Sequence, residues 1–176
     1  MKYNVSWLPD LVKYNGKTSF DEYYEAVYTY FKNDFVDSRP IFKGKNVGLQ
    51  IEPKVNGKEQ TFHHITTEGD EPNRKISSSR CERIRWNKAI IESDWVGLKI
   101  WTTKYPKNQL RTIIWFEQMD YMVVLREAKG YYVFITAYPI DKEHTKRKLT
   151  KLYDAYKKAE TALLKSGFDT LSTHGR

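Results

Sequence analysis

Three β-rich runs, Thr112 to Glu117, Tyr121 to Arg126 and Tyr131 to Ala137, follow one another across very short connections. The connections, Gln118-Met119-Asp120 and Ala128-Lys129-Gly130, are too short for a crossover, so consecutive runs must pair antiparallel. A meander is therefore the one piece of tertiary structure that this sequence imposes by itself. What surrounds it is helical. Ser19 to Phe35 predicts a first helix, with Ser19 as N-cap, Glu22 completing a capping box, and Phe20, Tyr23, Tyr24, Val27, Tyr30 and Phe31 recurring at helical spacing. Arg39-Pro40 ends that region. Asp141 to Lys165 predicts a long C-terminal helix with Leu149, Leu152, Tyr156, Ala159 and Leu163 on one face and Gly167 as C-cap.

Between these parts, Val47 to Glu52 and Glu59 to Ile65 predict two strands around the Asn56-Gly57 turn, where both positions need positive φ. Ser79 to Glu92 predicts a helix with Cys81, Ile84, Ala89 and Ile91 inward. The expected class is α+β: an antiparallel meander with helices packed on it, framed by N-terminal and long C-terminal helices. One domain is expected over 1–176, divided into an N-terminal helical and hairpin extension (1–58), a core (59–140) and a C-terminal helix with tail (141–176).

Composition narrows the setting. Hydrophobic residues are 40% and charged residues 30% of the chain, enough to bury a core in water. No run approaches the ~18 apolar residues of a membrane span. Met1 to Trp7 lacks the apolar stretch of a secretory signal. Cys81 is the single cysteine, which excludes an internal disulfide and a cysteine-based zinc cage. The expectation is a cytoplasmic protein without membrane association.

Charge is unevenly spread. Residues 1–72 hold nine Lys/Arg against eleven Asp/Glu, a net of −2, whereas residues 73–176 hold twenty-one against eleven, a net of +10. With aromatics at 15%, basic residues interleaved with rings point to a polyanionic partner, because phosphates follow charge and bases stack on rings. The basic face of the C-terminal helix, including Lys148, Lys151 and Lys158, is a solvated surface or a guide for a nucleic-acid backbone.

Three segments carry candidate chemistry. In Phe62-His63-His64-Ile65, strand alternation lets one imidazole line a site while the other is structural. His144 and His174 add no HxH or HExxH spacing, so metal-independent acid–base work suits the pair better than a metal site. In Arg80-Cys81-Glu82-Arg83-Ile84-Arg85-Trp86, the arginines match phosphate oxygens, and Trp86 is either a base-stacking surface or a core plug. Cys81, flanked by Arg80 and Arg83, is a candidate for a lowered pKa but has no hydrolase signature around it. In Phe134-Ile135-Thr136-Ala137-Tyr138-Pro139, Thr136 and Tyr138 share a strand face and can hold a phosphorane oxygen. GxxxxGK[ST], GxGxxG, GxSxG and helix-turn-helix patterns are absent, which removes nucleotide-dependent phosphoryl transfer, serine hydrolysis and helical DNA reading as readings of the chain.

In this order, a His-rich run, an Arg-bearing helix and a meander ending in Thr-Ala-Tyr, the segments resemble the barnase/EndoU/colicin/RelE-like superfamily of metal-independent ribonucleases, above all its phage and prophage members. The likeness spans about half the chain, from Thr61 to Ile140, and extends to small bacterial proteins sharing the Arg-Cys-Glu-Arg-Ile and Thr-Ala-Tyr-Pro runs. It implies a four- or five-stranded antiparallel sheet with helices on one side, no cofactor and no metal. It also implies RNA cleavage by attack of the ribose 2′-oxygen on the adjacent phosphate, giving a 2′,3′-cyclic phosphate. Carried onto this sequence, His64 or His63 would be the acid or base and Arg83 or Arg85 would hold the phosphate. Thr136 and Tyr138 would orient it, and Lys104 and Arg111 would be further phosphate ligands; Glu117 is an alternative base. The implied role is a toxin or phage-defence effector that acts on RNA and is held in check by an inhibitor protein. Two other readings fit the same residues: a non-catalytic module binding RNA or protein, and a dimer formed through the aromatic first helix.

Overall fold

Ser19 opens the first helix by pairing with Glu22 in both directions. Its Oγ accepts from the Glu22 N–H at 3.2 Å, and its own N–H donates to Glu22 Oε2 at 2.8 Å. Helix α1 spans Phe20–Phe31, with Tyr23, Val27 and Phe31 buried and Phe20, Tyr24 and Tyr28 packed against the same core. It ends in a π-helical turn, Lys32–Val36, that sets Phe35 on Phe31 and Phe134. Tyr30, expected on the inner stripe, is exposed. The computed structural model describes residues 5–172, apart from the side chains of 107 and 166–172; Met1 and His174 lie outside the described residues.

The expected meander is present and larger than the sequence suggests. Strands β6 (Gln109–Phe116), β7 (Tyr121–Ala128) and β8 (Tyr131–Pro139) pair antiparallel, turning at Asp120 and Gly130, which both have positive φ. A strand not expected from the sequence, β5 (Lys99–Tyr105), extends the sheet by pairing with β6. On the other side, β1 (Ile41–Phe42) pairs with β2 (Lys45–Leu49), and β2 lies parallel to β8. The six strands run β1-β2-β8-β7-β6-β5, a mostly antiparallel sheet.

The second arm of the expected hairpin is a helix instead. Asn56 and Gly57 do turn with φ of 52° and 76°, but a single bridge, Val55 to Lys58, closes the turn. Helix α2 (Gln60–Thr66) follows, with Phe62 and Ile65 three residues apart and both buried. Burial of that pair, together with Thr61 Oγ1 donating to the Phe134 carbonyl at 3.0 Å, overrides the β preference of Thr, Phe and Ile. A two-stranded ribbon, β3 (Thr67–Glu68) with β4 (Lys75–Ile76), leads to α3 (Ser78–Cys81) and α4 (Trp86–Glu92). These are two short helices rather than the single one expected, because tight turns over Arg83, Ile84 and Trp86 break the helical ladder. Cys81, Ile84 and Ile91 are buried as expected.

All four short helices press onto one sheet face, where Ile114, Phe116, Tyr121, Val123, Leu125, Phe134 and Ala137 join Val27, Phe31, Phe62 and Ile90 in one core. Trp7 stacks on Phe116 at 5.5 Å, tying the N-terminal segment to it. The chain divides into two compact units, Met1–Pro139 and Ile140–Arg176. The second holds α5 (Glu143–Ser172), which continues through Gly167, so that glycine is not its C-cap. Among the described residues no helix is long and apolar enough to cross a membrane.

Candidate anion-binding cleft

A β-bulge positions the end of β8. Leu125 faces Phe134 but Val124 faces Thr136, which leaves Ile135 as the extra residue. Beyond it Thr136 and Tyr138, paired with Val124 and Met122, share a sheet face with Arg126 and Arg111 by alternation. This end of β8 forms one wall of a cleft of about 520 Å³. The facing wall comes from His64 at the end of α2, Arg74 before β4 and Arg80 in α3; Gln50, Gln109, Arg111 and Arg126 complete the lining, the two arginines from the sheet side.

The carbonyl of His64 is the hinge point of the site. It accepts from Arg80 Nη1 at 2.9 Å and from Thr136 Oγ1 at 3.4 Å, so a cation and a strand hydroxyl satisfy an orphan carbonyl of the helix C-terminus. The His64 ring lies across from Gln60, with Gln60 Nε2 and His64 Nε2 3.0 Å apart. Turned over, the Gln60 amide accepts from the ring through Oε1, which is otherwise buried and unpartnered, and Nδ1 is left with the lone pair. Burial holds the imidazole below its ordinary value of 6.5, and the charge of Arg74, the neighbouring His63 and Arg80 add to this.

Four guanidinium groups and no carboxylate line the cleft. Arg74 is also a clamp: it donates to Thr67 Oγ1, the Thr67 carbonyl and the Gly69 carbonyl, and lies 3.7 Å from Glu71. Arg80 covers the Tyr138 ring at 5.1 Å, and its pKa is lowered by burial and by Arg74. Arg111 lies over Tyr105 at 3.7 Å, with its Nε buried and unpartnered. Among the described residues, no carboxylate stands within ion-pair distance of Arg80, Arg111 or Arg126. Burial pushes the Tyr138 phenol above its ordinary value, against the pull of Arg80, so it remains a hydrogen-bond donor at neutral pH.

The cleft thus unites His64, Thr136, Tyr138 and Arg111 of the residues singled out from the sequence. The others are elsewhere. His63 turns toward Glu71, with Nε2 3.6 Å from Oε1. Arg83 donates to the Ser79 carbonyl at 2.8 Å and covers Trp86, while Arg85 covers Tyr30. Trp86 is a core residue, its Nε1 donating to the Pro9 carbonyl at 2.9 Å. Lys104 faces Leu110 in register, on the opposite sheet face from Arg111. Glu117, beyond the far end of β6, pairs with Lys99 at 2.7 Å. Cys81 is fully buried, and desolvation pushes its thiol up to about 12, the opposite of an activated thiolate.

Arg74 and Arg126 do not figure among the site residues expected from the sequence, and Arg80 figures there only as one of the three arginines of its run, with Arg83 or Arg85 expected at the phosphate. Arg126 enters through the observed strand register, which sets it opposite Arg111. No group of three or more His, Cys, Asp and Glu placed to hold a metal ion occurs among the described residues. Set against family models, curated proteins and solved structures, the chain has no match in any of the three.

Proposed function

We propose that the cleft cleaves RNA without a metal, by attack of a ribose 2′-oxygen on the adjacent phosphate. One observation carries this reading: a neutral imidazole, an uncompensated guanidinium and a protonated phenol, from three different elements, line one open cleft that has no carboxylate. His64 takes the 2′-OH proton on Nδ1, the ring nitrogen that Gln60 does not hold, as the oxygen bonds to phosphorus and the P–O5′ bond breaks. The products are a 2′,3′-cyclic phosphate and a 5′-hydroxyl, whose oxygen takes its proton from a solvent water while the imidazolium of His64 returns its own proton to the hydroxide so formed. Arg80 meets the charge that builds on the phosphorane oxygens, and Tyr138 donates to one of them. Thr136 acts through His64, as a positioning residue that holds its carbonyl.

The test is incubation of the purified protein, and of its His64→Ala variant, with total RNA and tRNA in EDTA. Cleavage to cyclic-phosphate ends by the native protein and its loss in the variant are expected. RNA left intact by the native protein would overturn the proposal. Salt-dependent RNA binding without turnover, indifferent to His64→Ala, would leave a phosphate-binding module on this fold.

A further inference from the structure

We infer that the cleft holds two consecutive phosphates of one nucleic-acid strand, one at Arg80 and its neighbour between Arg111 and Arg126. The inference rests on the preceding reading only in that the first of these is taken as the phosphate that is cut.

Arg111 and Arg126 are register partners on adjacent strands. Side chains at directly opposed positions stand within about 5.5 Å of each other at Cβ, where like charges repel. A protein that places two guanidiniums this way ordinarily sets a carboxylate beside them, and no ion pair of that kind is formed here among the described residues. Arg111 has in addition a buried Nε with no acceptor, an unmet demand that an oxygen-rich ligand answers. The stack on Tyr105 sets the plane of its guanidinium before any ligand arrives. Tyr105 is also close enough to raise the pKa of Tyr138, which ties this corner to the rest of the cleft.

Arg80 serves a different position. One of its nitrogens is committed to the His64 carbonyl and its face to Tyr138, so the donors left to it point at whatever lies beside His64. The cleft also does not end at Arg126. A second depression of about 480 Å³ begins there, shares Gln109 and Arg126 with the first and reaches Lys129. Glu127, which also lines it, has its Oε1 occupied by Thr102 and Thr112. A path with arginines at successive stations and a lysine beyond fits a strand rather than a mononucleotide.

Uncleavable 2′-O-methyl dinucleotides provide the test. The bare dinucleotide, with its single phosphodiester, is compared by calorimetry with the same dinucleotide carrying one further phosphate at its 3′ end or at its 5′ end. In the native protein one of the two additions should tighten binding roughly tenfold. Arg111→Gln and Arg126→Gln should each abolish that gain while still binding the bare dinucleotide, and Arg126→Lys should keep part of it. No gain from either addition in the native protein would overturn the inference, whatever the variants do. A gain that survives unchanged in both Gln variants would overturn it as well. Because the probes cannot be cut, a gain seen in a protein that cleaves no RNA would uphold the two-phosphate site and sink the ribonuclease reading, and cleavage without the gain would do the reverse.

Discussion

The guanidinium of Arg80 rests on the ring of Tyr138, 5.1 Å from its centroid, while its Nη1 donates to the carbonyl of His64 at 2.9 Å. One side chain thereby joins the end of α2 to the end of β8 and leaves its remaining donors for a ligand. Lysine carries the charge but neither the planar fork nor the stacking face. Arg80→Lys should therefore fold, with Tm lowered by a few degrees at most, yet lose ~10²–10³ in RNA cleavage. Thermal melts paired with a cleavage assay check this, and near-native cleavage by the lysine variant would show that charge alone is needed.

The depressed imidazole of His64 makes stability depend on pH in a definite direction. As pH falls through 6.5 the unfolded chain takes up a proton that folded His64 still refuses, so the unfolded state gains. Stability is lost between 6.5 and the lower folded value, and this contribution is fully present above 6.5. His64→Gln removes the group, so the native protein should lose more stability than the variant between pH 7.5 and pH 5. Urea midpoints measured across that range decide it, and parallel losses would mean that His64 titrates normally. The acid limb of the cleavage rate should have its midpoint below 6.5 for the same reason.

The elements that could be read in advance are those whose signals are local. The β6–β8 meander follows from period-two runs joined by residues tolerant of positive φ, Asp120 and Gly130, and α1 follows from the Ser19–Glu22 box. Thr61, Phe62 and Ile65 favour strands by residue type, whereas the three-residue spacing of Phe62 and Ile65 serves a buried helical face. The parallel pairing of Val47, Gly48 and Leu49 with Tyr132, Val133 and Phe134 joins distant segments and has no local signature. The choice among Arg80, Arg83 and Arg85 depended on turns that break the helix after Cys81, each rotating the next arginine to a different surface. His64, Thr136 and Tyr138 were accessible because residue chemistry survives an error in secondary structure. The arginine that completes them is set by where the chain bends.

In the core, the Tyr121 hydroxyl donates to Asn87 Oδ1 at 2.8 Å, and Asn87 Nδ2 donates to the Ile84 carbonyl at 3.0 Å. Both side chains are buried, so neither water nor another residue replaces a lost partner. Asn87→Ala should cost about 1–3 kcal/mol by leaving the phenol unsatisfied. Tyr121→Phe should also destabilise, and the double variant should cost less than the two single losses together. Denaturant unfolding of the three variants measures this, and strict additivity would show that the pair is not coupled.

Arg85 supplies the contrast that isolates the cleft from the general charge of the chain. It lies over Tyr30, outside the cleft, although it is only five positions along the chain from Arg80. Arg85→Gln and Arg80→Gln remove the same charge from the same stretch of sequence. An exposed cation–π contact is worth about 0.5–1 kcal/mol, so Arg85→Gln should lower Tm by a few degrees at most. Its RNA cleavage should stay within about twofold of the native protein, whereas Arg80→Gln should lose ~10²–10³. Cleavage rates of the two variants, measured side by side at one salt concentration, decide the matter. Equal losses would mean that RNA is attracted by the basic surface as a whole, and that the cleft beside His64 is not where it is cut.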